Sequence, residues 1–122
     1  MINVLHFDYL PSPGSRYCME KVSARLKDDL SVKLDFLEPT KEDNDYHEDE
    51  AVLEQRLSGV DVLLIHPGVK WQKYVLQELP AKFPNLRIGI VAHGIHDYDK
   101  KGGIGLIDYT DTRDIINFIR GD

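Results

Sequence analysis

Histidine and aspartate side chains end several short apolar segments of this sequence. Asp8, His66, His93 and Asp108 each follow such a segment, and His96 lies close behind the third of them. Imidazole nitrogens and carboxylate oxygens are suitable ligands for Zn²⁺ or another transition ion. Their spacing is not a local metal motif, so the elements that carry these residues decide whether they form a site.

The segment 61–68 is the clearest of these elements. The run Val62–Ile65 is apolar throughout, and it lies between Ser58-Gly59 and Pro67-Gly68. Such a run predicts a strand that is covered on both faces. The carboxyl ends of strands line the functional crevice of an open α/β sheet, so we expect His66 at the edge where chemistry usually occurs.

Short apolar runs alternate with amphipathic runs along the whole chain, which implies parallel strands joined by right-handed helical crossovers. The predicted strands are Ile2–Phe7, Ser31–Leu37, Asp61–His66, Leu86–Ala92 and Ile104–Ile107. Four helices are predicted. The first carries Cys18, Val22 and Leu26, the second spans Asp49–Leu57, the third carries Trp71, Tyr74, Val75 and Leu79, and the fourth spans Asp111–Ile119.

This pattern predicts a single α/β domain over residues 1–122. Five parallel strands in a chain of this size favour a flavodoxin-like three-layer sandwich with strand order 2-1-3-4-5. The segment Gly94–Gly103 is too short to hold a full crossover helix. We therefore expect the fourth helix of that fold to be short or absent.

The amino-acid composition indicates which partners and which cellular compartment to expect. The 15 Lys and Arg residues against 21 Asp and Glu residues give a net charge of −6, which argues against nucleic acid or an anionic membrane as partner. The single Cys18 excludes an intrachain disulfide and a cysteine-rich zinc site. No long apolar run or signal-peptide pattern is present, so a cytoplasmic location is expected.

Three stretches resemble the receiver domain of two-component response regulators in their order and spacing. Asp61–Gly68 resembles the family's third strand, and Leu76–Gly94 resembles its third helix, Phe-Pro turn and fourth strand. Gly103–Asp111 lies where the family has its fifth strand and the start of its last helix. The resemblance covers nearly the whole chain and implies the receiver fold.

The resemblance also implies that the phosphoryl-transfer machinery is degenerate. Receivers use an aspartate after strand three, a metal-binding acidic pair after strand one, a hydroxyl after strand four and a lysine after strand five. The corresponding positions here are His66 for the nucleophile, Asp8 and Tyr9 for the acidic pair, Val91 for the hydroxyl and Asp108 for the lysine. Most of the chemistry is missing, which is typical of a pseudo-receiver.

The leading hypothesis is a phosphorylation-independent, non-enzymatic pseudo-receiver of a bacterial signalling system that acts through a protein partner, homodimerisation included. The family's contact surface lies around its fourth helix, fifth strand and fifth helix. A shortened fourth helix makes Asp97, Tyr98, Lys100 and Lys101 the candidate contact residues. The expectation therefore includes no cofactor, no nucleic acid and no membrane.

The rival hypothesis is a metal- or small-ligand-binding flavodoxin-like protein that uses Asp8, His66 and His93. Phosphoryl transfer to His66 is a further alternative, but Asp108 puts negative charge where a phosphate needs positive charge. Flavin binding through Pro11–Ser15 is another, although helix capping explains that segment more simply.

Overall fold

The computed structural model describes residues 1–8, 13–37, 46–66, 73–92, 104–108 and 112–121. The strands are β1 (Ile2–Asp8), β2 (Val32–Leu37), β3 (Val62–His66), β4 (Arg87–Ala92) and β5 (Ile104–Asp108). The helices are α1 (Pro13–Leu26), α2 (Tyr46–Arg56), a π-helical turn (Tyr74–Glu78) that runs directly into α3 (Leu79–Lys82), and α4 (Thr112–Arg120).

The strands pair in parallel in the order β2-β1-β3-β4-β5. β1 pairs with β2 and with β3, and its register with β3 runs from Val4 opposite Val62 to Asp8 opposite His66. β4 follows β3, and β5 pairs with the other edge of β4. The predicted α/β class and the parallel order 2-1-3-4 are confirmed.

Two apolar clusters cover the two faces of the sheet. Successive side chains of a strand point to opposite faces, so Val4 joins one cluster and its neighbour Leu5 joins the other. Val4 packs with buried residues of α1 and α4, while Leu5 packs with residues of α2, the π-helical turn and α3. Cys18 is one of the buried residues of α1.

The helix that leads to β4 does not end at Pro80. Proline has no N–H, and its ring clashes with the carbonyl four residues earlier in a regular helix. Here the preceding turn is a π-helix in which the Leu79 N–H bonds the Tyr74 carbonyl, and the chain stays helical to Lys82. The wider π turn accommodates the proline, so the helix continues through Pro80.

One prediction about the fold falls beyond the residues the structure describes. The shortened or absent fourth helix was predicted between the fourth and fifth strands, on residues 93–103, and these residues lie outside the described ranges. The predicted bounds of the other elements shift by a few residues, and α2 begins at Tyr46 instead of Asp49.

Arg87 and Gly89 hold β4 close to the end of α4. The Arg87 guanidinium donates hydrogen bonds to the carbonyl oxygens of Phe118 and Ile119, and it lies over the Phe118 ring at 4.9 Å. Carbonyl groups in the last turn of a helix have no intrahelical partner, so Arg87 caps α4. The ring then lies against Gly89, where a Cβ atom would come within 2.8 Å of Phe118.

We predict that Gly89→Ala lowers the free energy of unfolding by about 1–3 kcal/mol, because the new methyl group overpacks the contact with Phe118. Urea denaturation of the two proteins measures this change. Phe118→Leu in the same chain should recover part of the loss, since it removes the ring edge that the methyl group meets. Equal stability of wild type and Gly89→Ala would contradict the packing described for this contact.

Candidate functional site

Two histidines from neighbouring strands form a buried pair near the carboxyl edge of the sheet. His6 of β1 and His66 of β3 are joined by their Nε2 atoms, which lie 2.7 Å apart. The ring planes are inclined by only 20°, and the ring centroids lie 4.8 Å apart. His6 is fully buried and His66 is 8% exposed, so the pair lies in the protein interior.

The strand register explains why these side chains meet. Asp8 lies opposite His66 in the β1–β3 pairing, and His6 is two residues before Asp8. Residues two apart on a strand share a face, so all three side chains point to the face that α1 and α4 cover. The other buried residues of β1 and β3 on this face are apolar, so the three polar side chains lie beside an apolar cluster beneath α1 and α4.

The hydrogen bond limits the protonation states that the pair can adopt. A bond between two imidazole nitrogens needs a proton on one of them and a lone pair on the other. Two imidazolium rings cannot form it, because both Nε2 atoms would then be donors. The arrangement is therefore compatible with a neutral pair or with a single shared positive charge.

Burial sets the acid–base properties of the two rings. Desolvation lowers the pKa of His6 well below its ordinary value, and the neighbouring His66 lowers it further. Desolvation also lowers the pKa of His66, while the negative charge of Asp8 acts in the opposite direction. The folded protein thus favours neutral histidines at this position.

An open groove lies on the β2 side of the pair. Phe36 of β2 contacts the His6 ring at a centroid distance of 5.7 Å, and 37% of the phenylalanine is exposed. A groove of about 540 Å³ begins at this ring and runs along α1. Its lining consists of Arg16, Met19, Glu20, Ser23, Ala24 and Phe36.

The structure brings together only some of the predicted site residues. Asp8 and His66 are neighbours, whereas Val91 is fully buried in the apolar cluster beneath α4. Asp108 is the last residue of β5, with its Cα opposite that of Ala92. The predicted site residues outside the described ranges are Tyr9, His93, His96, Asp97, Tyr98, Lys100 and Lys101.

The predicted metal site is tested only in part. Within the described ranges, no group of three or more His, Cys, Asp and Glu side chains is placed to hold a metal ion. Asp8 and His66 belong to the described part of the chain, but the third predicted ligand, His93, does not. The metal hypothesis therefore stays a prediction.

His6 is the site residue that the sequence interpretation missed. His6 lies in the segment Ile2–Phe7, in which Asn3 is the other polar residue. It also shares a strand face with Asp8. A polar residue at that place in a central strand needs a buried partner. The predicted order 2-1-3 already made His66 a candidate for that partner.

No family model and no curated protein matches this sequence. Solved structures with a similar fold include a fragment assigned as a lipoprotein from Peptoclostridium difficile 630, with a TM-score of 0.71, 15% identity, and coverage of 99% of this chain and 98% of that one. They also include the ABC transporter system solute-binding protein from Conexibacter woesei DSM 14684, with a TM-score of 0.63, 15% identity, and coverage of 87% and 34%.

An ABC transporter system solute-binding protein from Aeropyrum pernix K1 is similar at a TM-score of 0.60 and 18% identity, over 87% of this chain and 28% of that one. This chain therefore spans about a third of the length of the two solute-binding proteins. At these identities the likeness concerns the fold, which is an α/β domain built on a parallel sheet. The resemblance to receivers stays a prediction.

None of the helices in the described part of the chain is long and apolar enough to cross a membrane. The cytoplasmic location expected from composition stays a prediction.

We predict that the free energy of unfolding falls as the pH is lowered below about 6.5, the ordinary pKa of histidine. Both buried histidines have lowered pKa values in the folded protein, so the unfolded chain takes up protons first and is stabilised by acid. Each proton taken up on unfolding contributes a slope of up to about 1.4 kcal/mol per pH unit.

Urea denaturation between pH 8 and pH 5 measures this slope. The double variant His6→Gln/His66→Gln should show a smaller slope in the same window, since it lacks both titrating rings. Glutamine keeps a polar side chain that can hydrogen-bond at each position. An unchanged slope in the double variant would show that other groups cause the acid sensitivity.

Proposed function

We propose that this chain is a phosphorylation-independent, receiver-like domain of a bacterial signalling system that acts through protein–protein contact. In this proposal the fold is a flavodoxin-like three-layer sandwich with strand order 2-1-3-4-5. The proposal also includes a non-enzymatic role without a cofactor.

The observation that carries this proposal is the state of His66. A receiver needs an exposed nucleophile at the end of its third strand, which can meet a phosphodonor in line. The side chain at the end of β3 is instead 8% exposed, and its Nε2 atom is bonded to His6. Attack from that nitrogen would first require the buried pair to separate.

The local charge also opposes phosphoryl transfer. The transferred group carries negative charge, which receivers offset with a divalent cation and a lysine. Here the charged side chain that acts on His66 is Asp8, which lies opposite it in the strand register. A phosphoryl group on His66 would meet a like charge in a poorly solvated site.

The contact function rests on the resemblance to receivers. In that family the surface around the fourth helix, fifth strand and fifth helix binds partners or a second copy. We propose that the segment 97–101, with Asp97, Tyr98, Lys100 and Lys101, is the contact segment of this chain. A protein partner or a homodimer would bind there without any need for a phosphorylation switch.

We predict that incubation with acetyl phosphate and Mg²⁺ leaves the mass of the intact protein unchanged. The buried nitrogen and the adjacent carboxylate make covalent transfer to His66 unfavourable. Mass spectrometry at neutral pH is the measurement, because a phosphohistidine is labile in acid. A stable phosphoryl adduct in wild type that disappears in His66→Asn would overturn the proposal.

A second candidate function is the binding of a metal ion or small ligand at the carboxyl edge of the sheet, through Asp8, His66 and His93. The observation that favours it is the fold similarity to two solute-binding proteins, together with the adjacent side chains of Asp8 and His66. An imidazole and a carboxylate on neighbouring strands are a suitable start for such a site.

Metal analysis of protein purified without an affinity tag separates the two candidates. The second candidate predicts stoichiometric Zn or Mn in wild type and its loss in His66→Ala. The contact proposal predicts metal contents that are low and equal in the two proteins. Stoichiometric metal that persists in His66→Ala would exclude the proposed ligand set.

A further inference from the structure

We propose that the groove between α1 and β2 is a binding site for a small organic anion with an aromatic or apolar body. This site lies on the face of α1, outside the set Asp8, His66 and His93, and it goes beyond the contact function. Its existence does not depend on whether the domain is phosphorylated.

The size and walls of the groove suit a small molecule. Its volume of about 540 Å³ is within the range of about 300–1,000 Å³ that ligand pockets usually have. Phe36 forms one wall of the groove and is 37% exposed, so part of its ring is accessible to a ligand. Met19 and Ala24 provide further apolar surface from α1.

The charges at the groove favour an anion at one end. Arg16 lies near the N-terminus of α1, whose first turn contains no acidic residue. A helix N-terminus carries partial positive charge, and Arg16 adds a full charge beside it. Arg16 forms no ion pair or hydrogen bond with any described residue, so its guanidinium is available to a carboxylate.

Glu20 limits where the anion can lie. It is one helical turn beyond Arg16, which places it about 6 Å further along the helix axis. The negative charge of Glu20 disfavours a second anionic group at that point. A single anionic group near Arg16, with an apolar body extending over Met19 and Phe36, fits this distribution.

A buried polar atom behind Phe36 gives the groove a second feature of a binding site. The Nδ1 atom of His6 is fully buried and has no hydrogen-bond partner among the described residues. The two nitrogens of an imidazole point to different flanks of the ring, and Nε2 faces His66 on β3. Nδ1 therefore points away from His66, and the Phe36 ring of β2 lies beside the His6 ring.

This geometry defines the chemical class of the ligand more closely. A polar group on the ligand's aromatic body can hydrogen-bond this nitrogen when the Phe36 ring turns aside. The ligand class is thus a carboxylate joined by a short linker to a ring that carries a polar group. The apolar contact supplies affinity, while Arg16 selects the charge.

Three probes of similar shape test the charge selection. Indole-3-acetate is an anion, indole-3-acetamide is neutral and tryptamine is a cation at pH 7. Titration of ¹⁵N-labelled protein followed by NMR gives a dissociation constant for each probe and maps its position. We expect saturable shifts at α1 and β2, with indole-3-acetate binding at least about tenfold more tightly than either other probe.

Variants of exposed residues complete the test. Arg16→Gln should weaken the binding of indole-3-acetate about tenfold, because the charged hydrogen bond is lost. Arg25→Gln removes an equal charge from the last turn of the same helix, outside the groove lining, and should bind as wild type does. Phe36→Leu keeps an apolar side chain at a partly exposed position and should weaken all three probes.

Each outcome of these titrations either supports or overturns the proposed binding site. Anion-selective binding that is lost in Arg16→Gln and retained in Arg25→Gln supports the proposal. Equal affinities for the three probes, equal effects of the two arginine variants, or no saturable shift at millimolar concentration would each overturn it. Shifts that map only to the carboxyl edge of β1 and β3 would assign the ligand to the metal- or small-ligand-binding candidate instead.

Discussion

The parallel pairing of β1 with β3 is the constraint on which the rest of the structure depends. Both strands are buried on their two faces, so each backbone and side-chain position is fixed by the register. Because side chains alternate between faces, a slip of one residue would move His66 to the face that α2 covers. The observed register places His6, Asp8 and His66 together beneath α1 and α4, where His6 is fully buried and His66 is 8% exposed.

The pairing of β1 with β3 provides each of the two buried histidines with a hydrogen-bond partner. A buried histidine loses its hydration, and the loss is offset when a hydrogen bond replaces the missing water. His6 and His66 offset part of each other's cost through a single bond between their Nε2 atoms. The same bond occupies the Nε2 atom of His66, so this nitrogen cannot act as a nucleophile while the pair is intact.

The outer part of the same face has a different character. Phe36 separates the buried histidines from an open groove on α1, and it contacts both the interior and solvent. The ring therefore contacts His6 on one side and lines the groove on the other. The similarity to the two solute-binding proteins concerns the fold alone. It does not extend to the residues that line the groove.

The sequence by itself indicated the α/β class and the buried position of β3, because apolar periodicity is a local property. The order 2-1-3-4 followed from the fold type that an alternation of strands and helices favours. It also identified Asp8 and His66, since both end apolar runs. Only the tertiary structure decided that His66 pairs with His6, that Pro80 is accommodated by a π turn, and that Phe36 is the wall of a groove. These features depend on register, on side-chain direction and on contacts between residues as far apart as 60 positions, none of which a local pattern encodes.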